Sequence, residues 1–240
     1  MSDRRRPGAD LRAVLRPALS TDSSPQVLAE DLIPGLLAGR TGVRVVDLGC
    51  GEGGSAGFFR AVDAAVRWTG LELADSDAFS GRAREDADFE VFDGVHMPFA
   101  DDSVDVVFCK QVLEHVERPD ALLPEVGRVL RPDGRFAGST SHLEPYHGHS
   151  VANFTPYGLK RLLERSGFEL ELILPGIDGP TLIARRLLRG AGFFDRWWTR
   201  RSPLNGVLDG VSRALRWDSE DRNAVKLLFC GYYAFVARPR

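Results

Sequence analysis

Cysteine is scarce: Cys50, Cys109 and Cys230 stand far apart in 240 residues, and no two of them form a Cys-x-x-Cys pair. That excludes a disulfide framework and a zinc knuckle, and it suits a reducing cytoplasm. Long apolar runs are missing too. The most apolar stretch, 227–237, is too short to cross a bilayer as a helix. The arginine-containing start has no unbroken apolar segment before Arg16-Pro17, so it does not read as a secretory signal. Positive charge is not in excess either. A formal net charge of -3 argues against a broad basic face that would neutralise nucleic-acid phosphates. The chain therefore reads as a soluble cytoplasmic protein without a transmembrane segment, and nothing in it sets an oligomeric state.

With 43% apolar residues, the chain can bury one substantial core. Residues 1–24 are rich in Arg, Asp, Ser and Pro and read as a flexible tail, apart from a short helix over 11–19. Residues 25–240 read as one domain. Val27, Leu28, Leu32, Leu36 and Leu37 recur at helical spacing, with a kink expected at Pro34. Strand patterns then appear at 43–48, 65–71, 89–92, 104–109 and 135–140, separated by helical stretches at 55–62, 74–83, 112–116 and 121–130. Strands alternating with helices require parallel pairing through crossovers, and nearly all-apolar strands require cover on both faces. Two later strand patterns, 168–174 and 227–237, suit an antiparallel edge pair. Between them, 181–225 has helical periodicity with many Arg and Trp residues and reads as a helical lid or insertion. The fold class is α/β, with a doubly wound, mostly parallel seven-stranded sheet.

The chemistry starts at Val45-Val46-Asp47-Leu48-Gly49-Cys50-Gly51-Glu52-Gly53-Gly54. An apolar strand enters a glycine-rich turn that opens a helix, and such a turn brings free backbone N–H groups close to a ligand. Gly49, Gly51 and Gly54 with the later Glu72 also satisfy the dinucleotide fingerprint, so an NAD(P)-dependent oxidoreductase is one reading. Asp47 and Glu52 oppose it, because carboxylates flanking the turn repel a pyrophosphate. They suit a ligand carrying an ammonium and a sulfonium, and Glu72 can take both ribose hydroxyls.

Several further segments carry a resemblance. They are Gly70-Leu71-Glu72-Leu73, Asp93-Gly94-Val95-His96-Met97-Pro98-Phe99, Asp102-Ser103-Val104-Asp105-Val106-Val107, Leu113-Glu114-His115-Val116 and Glu125-Val126-Gly127-Arg128-Val129-Leu130-Arg131-Pro132-Asp133-Gly134. From Val45 to Arg135 the chain resembles the class I S-adenosylmethionine-dependent methyltransferases, of the type that act on small molecules and sugars. It departs from the family at Asp133-Gly134, where Gly-Gly is common, in a turn away from the chemistry. The resemblance implies a Rossmann-like fold and S-adenosylmethionine as cofactor, bound around Asp47, Gly49, Cys50, Gly51, Glu72 and Leu73. It further implies that Asp93 holds the adenine amino group with the backbone of Gly94 or Val95 nearby, and that Lys110 and Gln111 line the methionine end, with His115 a further cofactor-binding residue within reach of the methyl group. Taken singly, Asp47 could equally cap its turn, Cys50 be a small residue that fits, and Asp93 end its strand.

Methyl transfer to a hydroxyl needs a base opposite the sulfonium. His115 follows the fourth strand, and Ser141-His142-Leu143-Glu144-Pro145-Tyr146-His147-Gly148-His149 follows the fifth, which places His142, His147 and His115 as base candidates. With Asn153-Phe154-Thr155-Pro156-Tyr157-Gly158-Leu159, this stretch resembles methyltransferases of saccharide biosynthesis, which implies O-methylation of a saccharide or another small-molecule acceptor. A structural loop is the competing reading. Glu144 with the imidazoles offers donors to a divalent metal, but the spacing matches no ligand signature and no metal is predicted. In the insertion, Phe193-Phe194-Asp195-Arg196-Trp197-Trp198-Thr199-Arg200-Arg201 suits sugar stacking, a phosphate or a weak membrane-surface contact, or equally a lid helix with its Trp side buried. Outside enzymology, a methyltransferase fold serving as a non-catalytic partner subunit is the third reading. The intact turn speaks against it.

Overall fold

Strands whose successive residues are all apolar need cover on both faces. The computed structural model describes residues 6–22, 25–73 and 88–240. It forms one seven-stranded sheet in the order β3-β2-β1-β4-β5-β7-β6. The strands are β1 (Arg44–Leu48), β2 (Arg67–Leu73), β3 (Asp88–Phe92), β4 (Val104–Lys110), β5 (Leu130–Ser141), β6 (Phe168–Pro175) and β7 (Tyr232–Pro239). Strands β1 to β5 pair in parallel, while β7 runs antiparallel to both β5 and β6.

The helices are α1 (Ala9–Leu15), α2 (Ile33–Leu37), α3 (Ser55–Val62), α4 (Pro119–Val129), α5 (Pro156–Arg165), α6 (Gly179–Leu187), α7 (Arg196–Thr199), α8 (Pro203–Ala214) and α9 (Ser219–Phe229). Alternation along the strands divides the core in two. Val45, Val106, Phe108 and Ala137 meet α2 and α3 on one face, where Phe59 packs edge-on against Phe108. Their neighbours Val46, Val107, Cys109 and Phe136 meet α4, α5 and α9 on the other. Parallel strands end together, so the carboxyl ends of β1, β2, β4 and β5 border one crevice.

Several expectations are corrected. The pattern at 28–37 divides into a 3-10 turn, Ala29–Leu32, and the short α2, because Pro34 has no N–H to donate and Asp31 instead accepts from the Leu28 N–H at 2.7 Å. The helix expected at 112–116 is one 3-10 turn, Leu113–His115. β2 runs on to Leu73, which carries Glu72 inside the strand. In the run 227–237, residues up to Phe229 extend α9, and the strand begins only at Tyr232. The helix expected at 74–83 lies outside the described residues.

Residues 6–22 also depart from a loose tail. Arg12 donates to Glu220 at 2.6 Å, Asp221 at 2.5 Å and Asp218 at 3.0 Å at the start of α9. Leu15 is fully buried, and Leu19 bridges to Ile173 of β6. Composition weighs only what the segment buries by itself, whereas the apolar surface it needs belongs to α9 and β6. Leu15→Ala is expected to lower unfolding free energy by about 2 to 4 kcal/mol in urea titration; an undocked tail would lose nothing.

Candidate active site

The turn after β1 is clamped to β2. Gly49 and Cys50 donate their N–H groups to the Leu71 carbonyl at 2.8 and 3.3 Å. Gly51 donates to Glu72 Oε2 at 2.9 Å and Leu73 to Oε1 at 3.0 Å. Gly49 has φ 68, and a Cβ there would lie 2.4 Å from Val112 Cγ2, so both conformation and space demand glycine. Beside the turn opens a cavity of about 550 Å³, with Gly49, Glu72, Asp93, Gly94, Gln111 and His115 in its wall. Leu73, Val95, Phe92, Val112 and Leu122 add apolar surface.

Asp47 lies beneath this cavity rather than in its wall. Ser55 Oγ donates to Asp47 Oδ2 at 2.5 Å, and Trp68 Nε1 donates to Ser55 Oγ at 2.9 Å. Burial pushes its carboxyl up to about 7 against the Ser55 hydrogen bond and the field of Lys110. Asp47 thus stiffens the turn, and near neutral pH it is only partly charged. Cys50 is half-buried against the second core, and neither it nor Gly51 lines the cavity. Asp93 does line it, yet its carboxylate also closes a turn by accepting from the Val95 and His96 N–H groups at 2.8 and 2.7 Å, with His96 Nδ1 at 2.7 Å. Those bonds hold its carboxyl below the usual range.

A second cavity, about 480 Å³, lies beyond Gln111, which belongs to both walls. Lys110, Glu144, His147, Trp198 and Tyr232 line it. Lys110 pairs with Glu30 and so faces this space instead of the first. His115 and His147 face one another edge-on across the junction, ring centres 5.3 Å apart. His147 Nδ1 is turned towards the Pro145 carbonyl at 3.4 Å and Glu144 Oε1 at 3.8 Å, and among the described residues Nε2 has no hydrogen-bond partner. His142 is not brought to this junction. Ser141 ends β5 facing Glu114, so the next side chain points the other way, into a groove with Leu143, Arg186 and Phe229, where burial lowers its imidazole pKa. His149 is exposed.

Sequence reasoning passed over Glu114, Ser139, Ser141 and Tyr232 as site residues. Glu114 is fully buried, and its place in the apolar run Val112 to Val116 was the one available signal. It accepts from Thr140 Oγ1 at 3.0 Å and from Ser141 Oγ at 2.9 Å. Gln111, with its amide nitrogen turned to the carboxylates, donates to Glu114 at 2.9 Å and Glu144 at 3.2 Å, while its oxygen accepts from Ser139. Ser141 Oγ also lies 2.9 Å from Glu144 Oε2. One hydroxyl proton cannot serve two carboxylates. Burial raises the Glu144 carboxyl, with Glu114 adding to the effect against the Ser141 hydrogen bond and the field of His147, so Ser141 gives its proton to one carboxylate while the Gln111 amide serves the other. Glu114, His115 and His147 also place donor atoms within 4.8 Å of one another, close enough to share a metal ion.

Residues 46–138 match the model of a family described as a methyltransferase domain. Solved structures share the fold of this chain. An S-adenosylmethionine-dependent methyltransferase from Mesorhizobium loti aligns with a TM-score of 0.52 over 88% of this chain and 97% of that one, at 21% identity. The fold is the Rossmann-like methyltransferase fold. A methyltransferase bound to the Trm112 activator of Haloferax volcanii shares it, with a TM-score of 0.58 over 88% of each chain at 18% identity. In sequence, a methyltransferase of Mycolicibacterium paratuberculosis is 37% identical over 55% of this chain and 59% of its own length. Methyltransferase GfsG of Streptomyces halstedii is 34% identical over 40% and 37%. The chain thus spans little more than half, or less, of these relatives' lengths. Together these likenesses give residues 46–138 as a methyltransferase domain within that fold. Among the described residues, no helix is long and apolar enough to cross a membrane.

A carboxyl titrating near 7 when folded and near about 4 when unfolded binds its proton more tightly in the fold, so its contribution to stability is lost as pH rises through about 7. Asp47→Asn escapes that loss. Its melting temperature relative to wild type, measured without cofactor, is expected to climb between about pH 4 and 7 and to level off above; a difference independent of pH would contradict the burial argument.

Proposed function

We propose that this chain transfers the methyl group of S-adenosylmethionine to a hydroxyl of a small, ring-containing acceptor. The observation that carries this is the pair of cavities meeting at Gln111, one bounded by the glycine turn and Glu72, the other by His147 and Glu144. The first fits the cofactor. Glu72 spends one lone pair per oxygen on the Gly51 and Leu73 N–H groups and keeps others for ribose hydroxyls. Phe92, Leu73 and Leu122 offer an apolar bed for adenine, with Asp93 and the Gly94–Val95 backbone at its edge. Gly49 leaves the backbone bare where the methionine portion passes. When bound, the cofactor supplies an electrophilic methyl group on a sulfonium.

The second cavity supports the acceptor. Trp198 stacks on Tyr232 with ring centres 5.8 Å apart, giving an aromatic wall for a sugar or other ring. Lys110, Gln111, Ser139 and Glu144 set polar groups beside this aromatic wall, and acceptor hydroxyls can bond to them. His147 Nε2 takes the proton of the reacting hydroxyl, and His115 borders the same junction from the cofactor side. A saccharide acceptor agrees with this mixture of aromatic faces and polar groups.

Glu72→Ala is expected to weaken S-adenosylhomocysteine binding in calorimetry by about tenfold or more. His147→Ala should keep that affinity and lower turnover by about 10² to 10⁴ in S-adenosylhomocysteine release assays over a panel of sugars and phenols. Binding of NAD in place of S-adenosylhomocysteine, or full turnover without His147, would refute the respective half of the reading.

A further inference from the structure

Helix α8 is built inside out. Its buried side carries Asn205, Asp209 and Ser212. Asn205 donates to Gln26 and to the Gly176 carbonyl, and Asp209 pairs with Lys226 at 2.6 Å and Arg201 at 2.9 Å. Its outer side carries Val207, Val211 and Leu215, exposed by 61%, 45% and 56%. Four-residue spacing sets these three in one stripe. A helix that gives its polar side to protein and its apolar side to water gains nothing from the hydrophobic effect. α6, which touches α8, buries Leu182 but leaves Ile183 and Leu187 exposed by 46% and 77%, followed by the exposed Leu188 and Phe193.

Charge identifies what covers this surface. Residues 179–216 hold eight arginines and two aspartates, in a chain whose formal net charge is -3. Among the described residues, Arg185 pairs with Asp195 and Arg201 with Asp209; the other six arginines of the segment have no carboxylate within 4 Å. Cations without a carboxylate partner, carried by the same segment as the exposed apolar residues, complement an apolar medium with an anionic border. That is the physics of helices lying in the interface of a bilayer containing anionic lipid. We propose that the α6–α8 surface docks this protein on an anionic membrane face, independently of the reaction assigned above.

Cosedimentation of the full chain with vesicles, without cofactor, tests this. Wild type is expected to bind phosphatidylcholine vesicles containing phosphatidylglycerol, to bind pure phosphatidylcholine far less, and to be released by salt. The double variants Leu187→Asp/Val211→Asp and Arg213→Glu/Arg216→Glu should each lower partitioning by more than about tenfold. Their melting temperature and S-adenosylhomocysteine affinity should be unchanged, since none of these residues lines either cavity. No binding to anionic vesicles, or equal binding by wild type and variants, would overturn the proposal. A dimer in light scattering that these variants dissolve, without vesicle binding, would assign the surface to a second copy of the chain instead.

Discussion

The clamp between the first two strands governs the rest of the site. Two backbone N–H groups of the turn share the Leu71 carbonyl, and Gly51 is held by the Glu72 carboxylate. Since β1 and β2 are in register from Arg44 with Arg67 to Leu48 with Leu71, the turn can leave the sheet only where β2 presents Glu72. The first cavity inherits its outline from that coincidence. The buried chain from Trp68 through Ser55 to Asp47 supports it from below, fixing the start of α3 against the end of β1. An acid in that position acts as structure first, and its charge reaches the cavity only at a distance.

At the junction with the second cavity the constraint is proton count. Glu114 and Glu144 compete for the single Ser141 proton and share the Gln111 amide, and the more exposed of the two, Glu144, faces His147. The buried pair therefore keeps the β5 loop and the turn after β4 in a fixed relation while leaving His147 one nitrogen without a hydrogen-bond partner among the described residues. The wall opposite comes from far along the chain, with Trp198 from the insertion and Tyr232 from the last strand.

Much of this was legible in the sequence because the parallel strands are short, apolar and separated by helices, and because Asp47, Gly49, Glu72 and Asp93 each stand within one residue of a strand's carboxyl end. The seven-stranded sheet and its antiparallel β6–β7 pairing follow from those patterns. Side-chain direction was harder to read. Lys110 and Gln111 are neighbours, yet with Gln111 at φ 55 the chain turns so that Lys110 faces only the second cavity. His142 and His147 sit five residues apart in one loop and face different spaces. The docking of α1 could not be read locally, since Arg12 meets its carboxylates more than two hundred residues later. The start of β7 is hidden in the sequence because Leu227, Leu228 and Phe229 are as apolar at the end of α9, where only Leu227 is fully buried, as in a strand.

Strand β7 lies between β5 and β6, although it follows both in the chain. A nascent chain that has already made β5 and β6 cannot join them to one another: their shared neighbour has yet to be synthesised. Until then both strands show unpaired edges, with Phe136 and Ile173 uncovered beside them. The long-range pairing of β7 is thus the late and slow event of folding, and an interval in which translation stalls inside the insertion would leave a ribosome-bound species prone to edge-to-edge aggregation.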